Sequence, residues 1–235
     1  MIEKLNLDDV LFLDIETVPQ HPNYEIVPER LKNLWDKKAQ RLAKSDQDSP
    51  ATLYPRAGIY AEFGKIVCIS TGIVTGNTFR VKSFYGDDEA ILLNEFADML
   101  NRYYNLPQHL LCGHNGKEFD FPYIARRMLV NGIRLPNILN LFGRKPWEIQ
   151  HLDTMELWRF GDYKNYTSLE LLTTIFDVPS PKDDIDGSMV WQVYWEEKNL
   201  ERIVEYCQKD TFALAQLLLR YMGRPLIDQA DLVVA

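Results

Sequence analysis

Strand-like and helix-like segments alternate along this chain, and an early pair of strand-like segments has the pattern of a hairpin. Residues 10–15 form a short apolar run before a Thr-Val-Pro sequence, which is typical of a buried central strand that ends near Glu16. Residues 65–74 and 78–84 carry β-branched and aromatic side chains around a Thr-Gly-Asn turn, so we expect them to pair antiparallel. The alternation predicts an α/β fold with a mixed sheet covered by helices on both faces.

The other segments are assigned from periodicity and capping residues. Residues 18–58 carry prolines around a helix-like stretch at 29–44, and we interpret them as an insertion within a single domain spanning residues 1–235. Asp87 or Asp88 is the expected N-cap of the helix that follows the hairpin. Helices are predicted at residues 88–104, 119–130, 168–176, 189–195 and 200–222, and short strands at 109–112 and 149–152.

Acidic residues in three distant segments are the main chemical signal: Asp14 and Glu16 on one face of the first strand, Asp120 at a helix start, and Asp210 in the last helix. An acidic-x-acidic pair alone is weak evidence, since 34 acidic residues in 235 give roughly five such pairs by chance. Carboxylates on an apolar strand, however, are costly to bury without cations or hydrogen bonds. Four such oxygen ligands suit two hard divalent cations and indicate a metal-dependent nuclease.

Tyr206 and Asp210 are four residues apart in a strongly helical segment, which places them on one helix face about one turn apart. This spacing can put a metal-binding carboxylate beside a phenol that orients or deprotonates a water molecule. A phenol has an ordinary pKa of about 10, so a base role would require metals or neighbours to lower that pKa. Packing of a tyrosine between helix and sheet is the alternative explanation.

In this order the motifs resemble those of the DnaQ-like, or DEDD, superfamily of 3′–5′ exonucleases, which has the ribonuclease H-like fold. The run FDFPYIARR looks like the second motif of the exonuclease domains of family-B DNA polymerases. Relatives of the histidine type carry histidine where this chain has Glu205, so the chain resembles the tyrosine subclass. The resemblance implies a five-stranded mixed sheet. The matching residues are Asp14 to Thr17, then Asn115, Phe119 and Asp120, and finally Tyr206 to Asp210.

The resemblance also implies roles for these residues. The four carboxylates would bind two Mg²⁺ or Mn²⁺ ions, one of which activates water while the other stabilises the leaving 3′ oxygen, with release of 5′-nucleoside monophosphates. Tyr206 would orient the water and complete the catalytic set. The expected substrate is the 3′ end of a single-stranded nucleic acid, with DNA ahead of RNA. The metal ligands implied are Asp14, Glu16, Asp120 and Asp210.

Five residues are expected to contact the substrate. Thr17 would hold the terminal nucleotide, and Asn115 would position the strand or the site. Phe119 could stack on a base, although packing in the core explains it equally well. Arg126 and Arg127 could bind phosphates or lie on a solvated helix face beside acids.

Two polar residues near these motifs receive structural interpretations. We expect His114 to be a polar loop residue, because no second histidine stands at metal-ligand spacing. Asp153 is expected to cap the helix that follows it. Most of the tryptophans are expected in the core, since they are too scattered to form a stacking platform; they are Trp35, Trp147, Trp158, Trp191 and Trp195.

The net charge of −8 argues against nonspecific coating of duplexes, but the charge is unevenly distributed. Residues 117–145 hold six basic and two acidic residues, a local charge of 6 − 2 = +4. The basic residues are Lys117, Arg126, Arg127, Arg134, Arg144 and Lys145.

The cysteines and the hydropathy pattern indicate the compartment. Cys68, Cys112 and Cys207 lack CxxC spacing, so we expect buried, reduced thiols. The sequence shows neither a long apolar span nor a signal peptide, which predicts a cytoplasmic protein without a membrane partner.

Other functions stay open from the sequence. The chain could be a catalytically silent nucleic-acid-binding module of the same fold, or a 3′–5′ exoribonuclease that trims RNA. A glycosidase using two of the acids would need no cation. Partners in DNA replication or repair are possible, and the sequence leaves their identity open.

Overall fold

The computed structural model describes residues 2–162, 166–178 and 185–235, and a mixed sheet forms the centre of this part of the chain. The strands are β1 (Val10–Pro19), β2 (Gly64–Thr75), β3 (Thr78–Tyr85), β4 (Leu110–Gly113), β5 (Leu152–Asp153) and β6 (Leu232–Val234). Their order is β5-β4-β1-β2-β3-β6. β2 is antiparallel to β1 and β3, whereas the β1–β4, β4–β5 and β3–β6 pairs are parallel.

The predicted helices begin and end close to the expected positions, and α2 is an additional short helix within residues 18–58. They are α1 (Glu29–Leu42), α2 (Pro50–Leu53), α3 (Glu89–Tyr103), α4 (Asp120–Val130), α5 (Thr154–Arg159), α6 (Leu169–Ile175), α7 (Val190–Trp195) and α8 (Leu200–Tyr221). Asp88 caps α3, since its side chain accepts the N–H groups of Ala90 and Ile91. No helix in these ranges is long and apolar enough to cross a lipid bilayer.

The alternation of side chains along β1 directs its two faces to different helices. Leu11, Leu13 and Ile15 pack in the cluster that contains α3 and α4, whereas Val10 and Phe12 pack against α8. The predicted arrangement of helices on both faces is therefore confirmed. The even-numbered positions that follow, Asp14 and Glu16, project toward α8.

The predicted hairpin is confirmed, with β2 and β3 paired from Cys68–Tyr85 to Thr75–Thr78. The strand count is a correction, because the sheet has six strands within the described residues rather than the five predicted. The additional strand, β6, pairs over three residues with β3, and an edge segment of this length has too few positions to show a period. The three cysteines are buried and free, as predicted.

Two strand ends also differ from the prediction. β1 continues to Pro19 instead of ending near Glu16, and a β-bulge between Glu16 and Thr17 shifts its register against β2. β5 is Leu152–Asp153 rather than residues 149–152. The Leu111 N–H donates to Nδ1 of His151 at 3.2 Å, so a side chain takes the place of a backbone acceptor on that edge of β4.

Residues 18–58, interpreted above as an insertion, contain α1 and α2 and have their own apolar cluster. The Trp35 side chain lies at the centre of this cluster, with its ring centroid 5.7 Å from that of Tyr54 and 5.2 Å from that of Phe63. Its indole N–H donates to the Pro50 carbonyl at 2.8 Å. These contacts hold the two helices together beside β1.

A buried ion pair connects α3, α4 and β2. Arg127 donates from Nη2 and Nε to the Glu89 carboxylate at 2.6 and 2.9 Å, and from Nη1 to the Ala61 carbonyl at 2.8 Å. Glu89 also accepts the Ile66 N–H at 2.7 Å. Arg127 was a candidate phosphate contact, but its guanidinium is buried and its donors are engaged inside the protein. The structure therefore gives Arg127 a structural role.

Replacing Glu89 with alanine should leave the Arg127 guanidinium buried without its carboxylate. We expect the free energy of unfolding to fall by about 3–5 kcal/mol, as measured by urea denaturation. Glu95→Ala removes an exposed carboxylate from the same helix and should change the value by less than about 0.5 kcal/mol. Similar values for the two variants would contradict the structural role of the pair.

Candidate active site

The carboxylates of β1 lie beneath α8. Asp14 pairs across the sheet with Ser70, and Glu16 pairs with Cys68, so all four project from the same face. The Cys207 thiol of α8 lies 3.5 Å from Oδ2 of Asp14 and 3.4 Å from the Asp14 carbonyl oxygen. Ligand atoms of Asp14, Glu16 and Cys207 all lie within 4.8 Å of one another.

Burial and mutual repulsion oppose ionisation of these two acids. The pKa of Asp14 lies well above its ordinary value because of burial first, followed by the charges of Asp120 and Asp210. Burial also raises the pKa of Glu16 well above its ordinary value, with further contributions from Asp14 and Asp210. Asp14, Glu16, Asp120 and Asp210 are thus neighbours in space although they come from three separate segments.

Asp120 enters the site because β4 is short. The last pair between β1 and β4 is Phe12 with Cys112, and the Ile15 N–H beyond it is hydrogen-bonded to Asp120 at the start of α4. Burial raises the pKa of the Asp120 carboxyl to about 7, while hydrogen bonds from backbone N–H groups act in the opposite direction and the Asp153 charge adds to the increase. The helix start predicted for Asp120 is confirmed.

Tyr206 and Asp210 lie on α8, with Cys207 on the same helix facing β1. Burial is the largest cause that raises the pKa of the Tyr206 hydroxyl, followed by the charges of Asp210, Glu16 and Asp14, and by a hydrogen bond with Asp210. Tyr206 therefore faces the carboxylates. Glu205, at the position where relatives of the other subclass carry histidine, is exposed.

A tight loop between β4 and α4 contains Asn115. Gly113 and Gly116 approach so closely that a Cβ on either would lie 3.0 Å from the other's Cα, and Asn115 has a left-handed backbone with φ of 62°. Asp153 holds this loop, since its carboxylate accepts the N–H groups of Asn115 and Lys117 at 3.0 and 3.1 Å.

Asp153 also caps α5 through the N–H groups of Met155 and Glu156, so the predicted cap is confirmed. Its contact with the Asn115 loop was missed, because a cap signal in the sequence is local and shows no partner from another segment. His114 has a similar positioning role. Its ring nitrogens are hydrogen-bonded to Oγ1 of Thr154 at 2.9 Å and to the Thr167 carbonyl at 2.8 Å.

The other predicted substrate residues differ in their access to the site. Thr17 is half-buried beside the bulge and is hydrogen-bonded to Tyr123. Phe119 packs partly into the core, with its ring centroid 5.3 Å from that of Tyr123. Arg126 is exposed on α4, whereas Arg127 lies in the buried pair described above.

Tyr166 is a neighbour of the site that the sequence did not reveal. Its pKa is raised by burial and then by the charges of Asp120, Asp14 and Asp153, although 68% of its surface is exposed. The side chain therefore lies near the acidic cluster and is largely exposed to solvent. A single tyrosine before a predicted helix carries no periodic signal that would have identified it.

The donor set fits hard divalent cations. The main contributions to the pKa shifts of Asp14 and Glu16 come from burial, acids and thiols, and not from a lysine or arginine. The carboxamide oxygen of Asn115 is buried without a hydrogen-bond partner among the described residues. Buried oxygens of this kind call for a cation, water or substrate.

The fold identifies the class of protein: an α/β domain whose ribonuclease H-like architecture, predicted above, is confirmed. It is similar to the family B DNA polymerase from the hyperthermophilic archaeon Pyrobaculum calidifontis, with a TM-score of 0.51 and 19% sequence identity. The similarity covers 90% of this chain and 24% of the polymerase chain, so this chain spans about a quarter of that polymerase.

The sequence comparison then identifies the family. Residues 59–226, which are 168 of the 235 residues, match the family described as a predicted 3′–5′ exonuclease related to the exonuclease domain of PolB. The chain belongs to this family. β1, with Asp14 and Glu16, precedes the matched residues, and it is the fold that brings this pair to Asp120 and Asp210.

In the metal-free protein, Asp120→Asn should raise the free energy of unfolding at pH 8 by on the order of 1–3 kcal/mol, because the folded-state pKa of about 7 exceeds the ordinary value of 3.8. This gain should shrink as the pH falls from 8 to 5, since the folded wild-type carboxyl then takes up a proton that the unfolded one does not. Urea denaturation in EDTA measures both values.

Glu118→Gln, which changes an exposed acid two residues away, is the matched control and should have little effect at either pH. A destabilised Asp120→Asn protein at pH 8 would show that the buried charge is already compensated.

Proposed function

We propose that this protein is a metal-dependent 3′–5′ exonuclease that hydrolyses single-stranded DNA and releases 5′-nucleoside monophosphates. The observation that carries the proposal is the convergence of Asp14, Glu16, Asp120 and Asp210, in which the charges of Asp120 and Asp210 raise the pKa values of Asp14 and Glu16. A buried acidic cluster of this kind is costly unless it binds cations. Membership of a family of predicted 3′–5′ exonucleases supports the same reaction.

The four carboxylates would hold two Mg²⁺ or Mn²⁺ ions. Bound there, the ions supply an activated water and charge stabilisation for the leaving 3′ oxygen. The protein contributes rigid placement, since Asp14 and Glu16 are fixed by the sheet and Asp120 by its hydrogen bond with the Ile15 N–H. Asp210 is carried by the long helix α8.

Tyr206 would orient the attacking water. Its hydroxyl is hydrogen-bonded to Asp210 and lies within the field of Asp14 and Glu16, which places it beside the reacting phosphate in this proposal. Asn115 and Thr17 would position the terminal nucleotide, with the Asn115 loop held in place by Asp153. Arg126 is the exposed candidate for a phosphate contact.

The choice of DNA over RNA rests on the relationship to DNA polymerase exonuclease domains. The proposed metal site would contact a phosphodiester and a 3′ end, which DNA and RNA share, and not the 2′-hydroxyl that distinguishes them. DNA and RNA oligonucleotides of the same sequence, tested single-stranded and in duplexes, separate the two substrates. Faster hydrolysis of RNA would show that RNA rather than DNA is the substrate, and the assignment of the site residues would not change.

A 5′-labelled single-stranded oligonucleotide should be shortened to a ladder in the presence of Mg²⁺ or Mn²⁺, and EDTA should abolish the reaction. Asp14→Ala should lower the rate by at least about 10³-fold, since one metal ligand is removed from the cluster. Circular dichroism should show that this variant stays folded. A protein that binds the oligonucleotide with either ion but never shortens it would instead be a silent binding module.

Tyr206→Phe should lower kcat by about 10²-fold or more, because the hydroxyl that orients the water is lost. The affinity for Mn²⁺, measured by calorimetry, should stay within about twofold of wild type. Glu205→Gln is the matched control, since its exposed side chain is adjacent in sequence but faces away from the acids. Equal activity of Tyr206→Phe and Glu205→Gln would exclude a role for the phenol.

A further inference from the structure

Residues 121–147 form an acid-free segment in an acidic protein. They contain no aspartate or glutamate, although the chain average of 34 acids in 235 residues would place about four there. Arg126, Arg134, Arg144 and Lys145 are exposed, whereas the other cations of the basic region are engaged: Arg127 in the buried pair and Lys117 with Glu156 at 2.6 Å. The exposed positive charge of this segment therefore extends from Arg126 on α4 to Lys145.

Two aromatic side chains accompany the last cations of this segment. Phe142 is 70% exposed and Trp147 is 77% exposed, and Trp147 is thus the exception among the tryptophans, the others being buried or partly buried. The Lys145 ammonium lies 5.2 Å from the centroid of the Trp147 ring. Exposed aromatic faces next to cations match the chemistry of nucleic acid, in which bases stack and phosphates pair with positive charge.

The backbone of this loop is held in a defined shape. The Glu148 carboxylate accepts the Lys145 N–H at 2.8 Å, and the Arg144 N–H donates to the Leu141 carbonyl at 3.1 Å. Gly143 has φ of +70°, which lets the chain turn between Phe142 and Arg144. These local contacts define the backbone turn from which the aromatic and basic side chains project.

A cavity of about 400 Å³ lies beside this loop. Its volume falls in the range of ligand sites, and Arg144 lines it. Four of its lining residues carry side-chain amides, which can pair with the polar edge of a base; they are Asn105, Asn137, Asn140 and Gln150.

The sheet gives the straight-line separation between this cavity and the carboxylates. Leu110 lines the cavity and pairs with Val10, and Asp14 lies four residues farther along β1. At about 3.3 Å per residue the separation is roughly 13 Å. Because Asp14 projects toward α8, a strand that reaches both the cavity and Asp14 follows a longer path around the sheet and extends over several nucleotides.

We propose that residues 142–147 and the adjacent cavity, here called the upstream subsite, bind single-stranded nucleic acid several nucleotides from its 3′ end. Bases would stack on Phe142 and Trp147, and Arg144 and Lys145 would pair with phosphates. This inference rests on the proposed exonuclease function, because it assigns the body of the same strand whose end reaches Asp14.

Binding is measured by fluorescence anisotropy with 3-nucleotide and 12-nucleotide single-stranded DNA in EDTA, where no hydrolysis takes place. Trp147→Ala should weaken binding of the 12-nucleotide strand by about 5- to 100-fold, which corresponds to the loss of one stacked base. The 3-nucleotide strand should be affected less than twofold. Arg144→Ser/Lys145→Ser should reduce the slope of log Kd against log salt by about 1.4 for the longer strand.

Hydrolysis of the p-nitrophenyl ester of thymidine 5′-monophosphate with Mn²⁺ reports on the carboxylate site alone. Its rate should be unchanged in Trp147→Ala, while degradation of the 12-nucleotide strand slows. If the wild-type protein hydrolyses neither substrate, the proposed exonuclease function is wrong. The binding measurement in EDTA tests the upstream subsite independently of hydrolysis.

Arg80→Ser/Arg220→Ser removes the same charge from exposed positions on β3 and α8 and is the matched control. The proposal would be overturned if Trp147→Ala and Arg144→Ser/Lys145→Ser both bound the 12-nucleotide strand with wild-type affinity. The exposed surface would then be better explained as a binding site for a protein. An equal loss in the control double variant would also overturn the proposal, because the effect would then be one of net charge.

Discussion

Burial of like-charged carboxylates on the central strand is the constraint on which the rest of the structure depends. Asp14 and Glu16 occupy the face of β1 that packs beneath α8, where an apolar side chain would give more stability. Their partners across the strand pair are Ser70 and Cys68, and helix α8 adds Cys207, Gln208 and Asp210 to the same layer. The interface between sheet and helix is thus polar at its centre and apolar at both ends.

The opposite face of the sheet supplies apolar packing that offsets the loss of stability caused by this polar layer. Leu11, Leu13 and Ile15 pack with α3 and α4 in the largest apolar cluster of the described residues, and the Glu89–Arg127 pair joins those helices to β2. The face of β1 toward α3 and α4 thereby contributes to stability, while the face toward α8 carries the candidate catalytic carboxylates. The period of two along β1 makes this division possible, because neighbouring residues belong to different layers.

Much of this arrangement could be predicted from local patterns. The hairpin, the long helices, the cap at Asp88 and the sharing of one face by Asp14 and Glu16 all depend on residues close in sequence. The extension of β1, the position of β5 and the presence of β6 depend on partners from distant segments. The same limit applies to the site. The sequence shows that Arg127 and Asp153 are charged. It does not show that Arg127 forms a buried ion pair with Glu89, or that Asp153 holds the Asn115 loop.

Short strands at both edges of the sheet affect how this protein behaves at high concentration. β5 contributes two residues and β6 contributes three, so each edge offers few unpaired backbone groups to another molecule. The long strands β1 and β2 have neighbours on both sides. Edge-to-edge association into larger sheets is thereby disfavoured, which protects a chain whose central strands are rich in Ile, Val and Leu from aggregating through them.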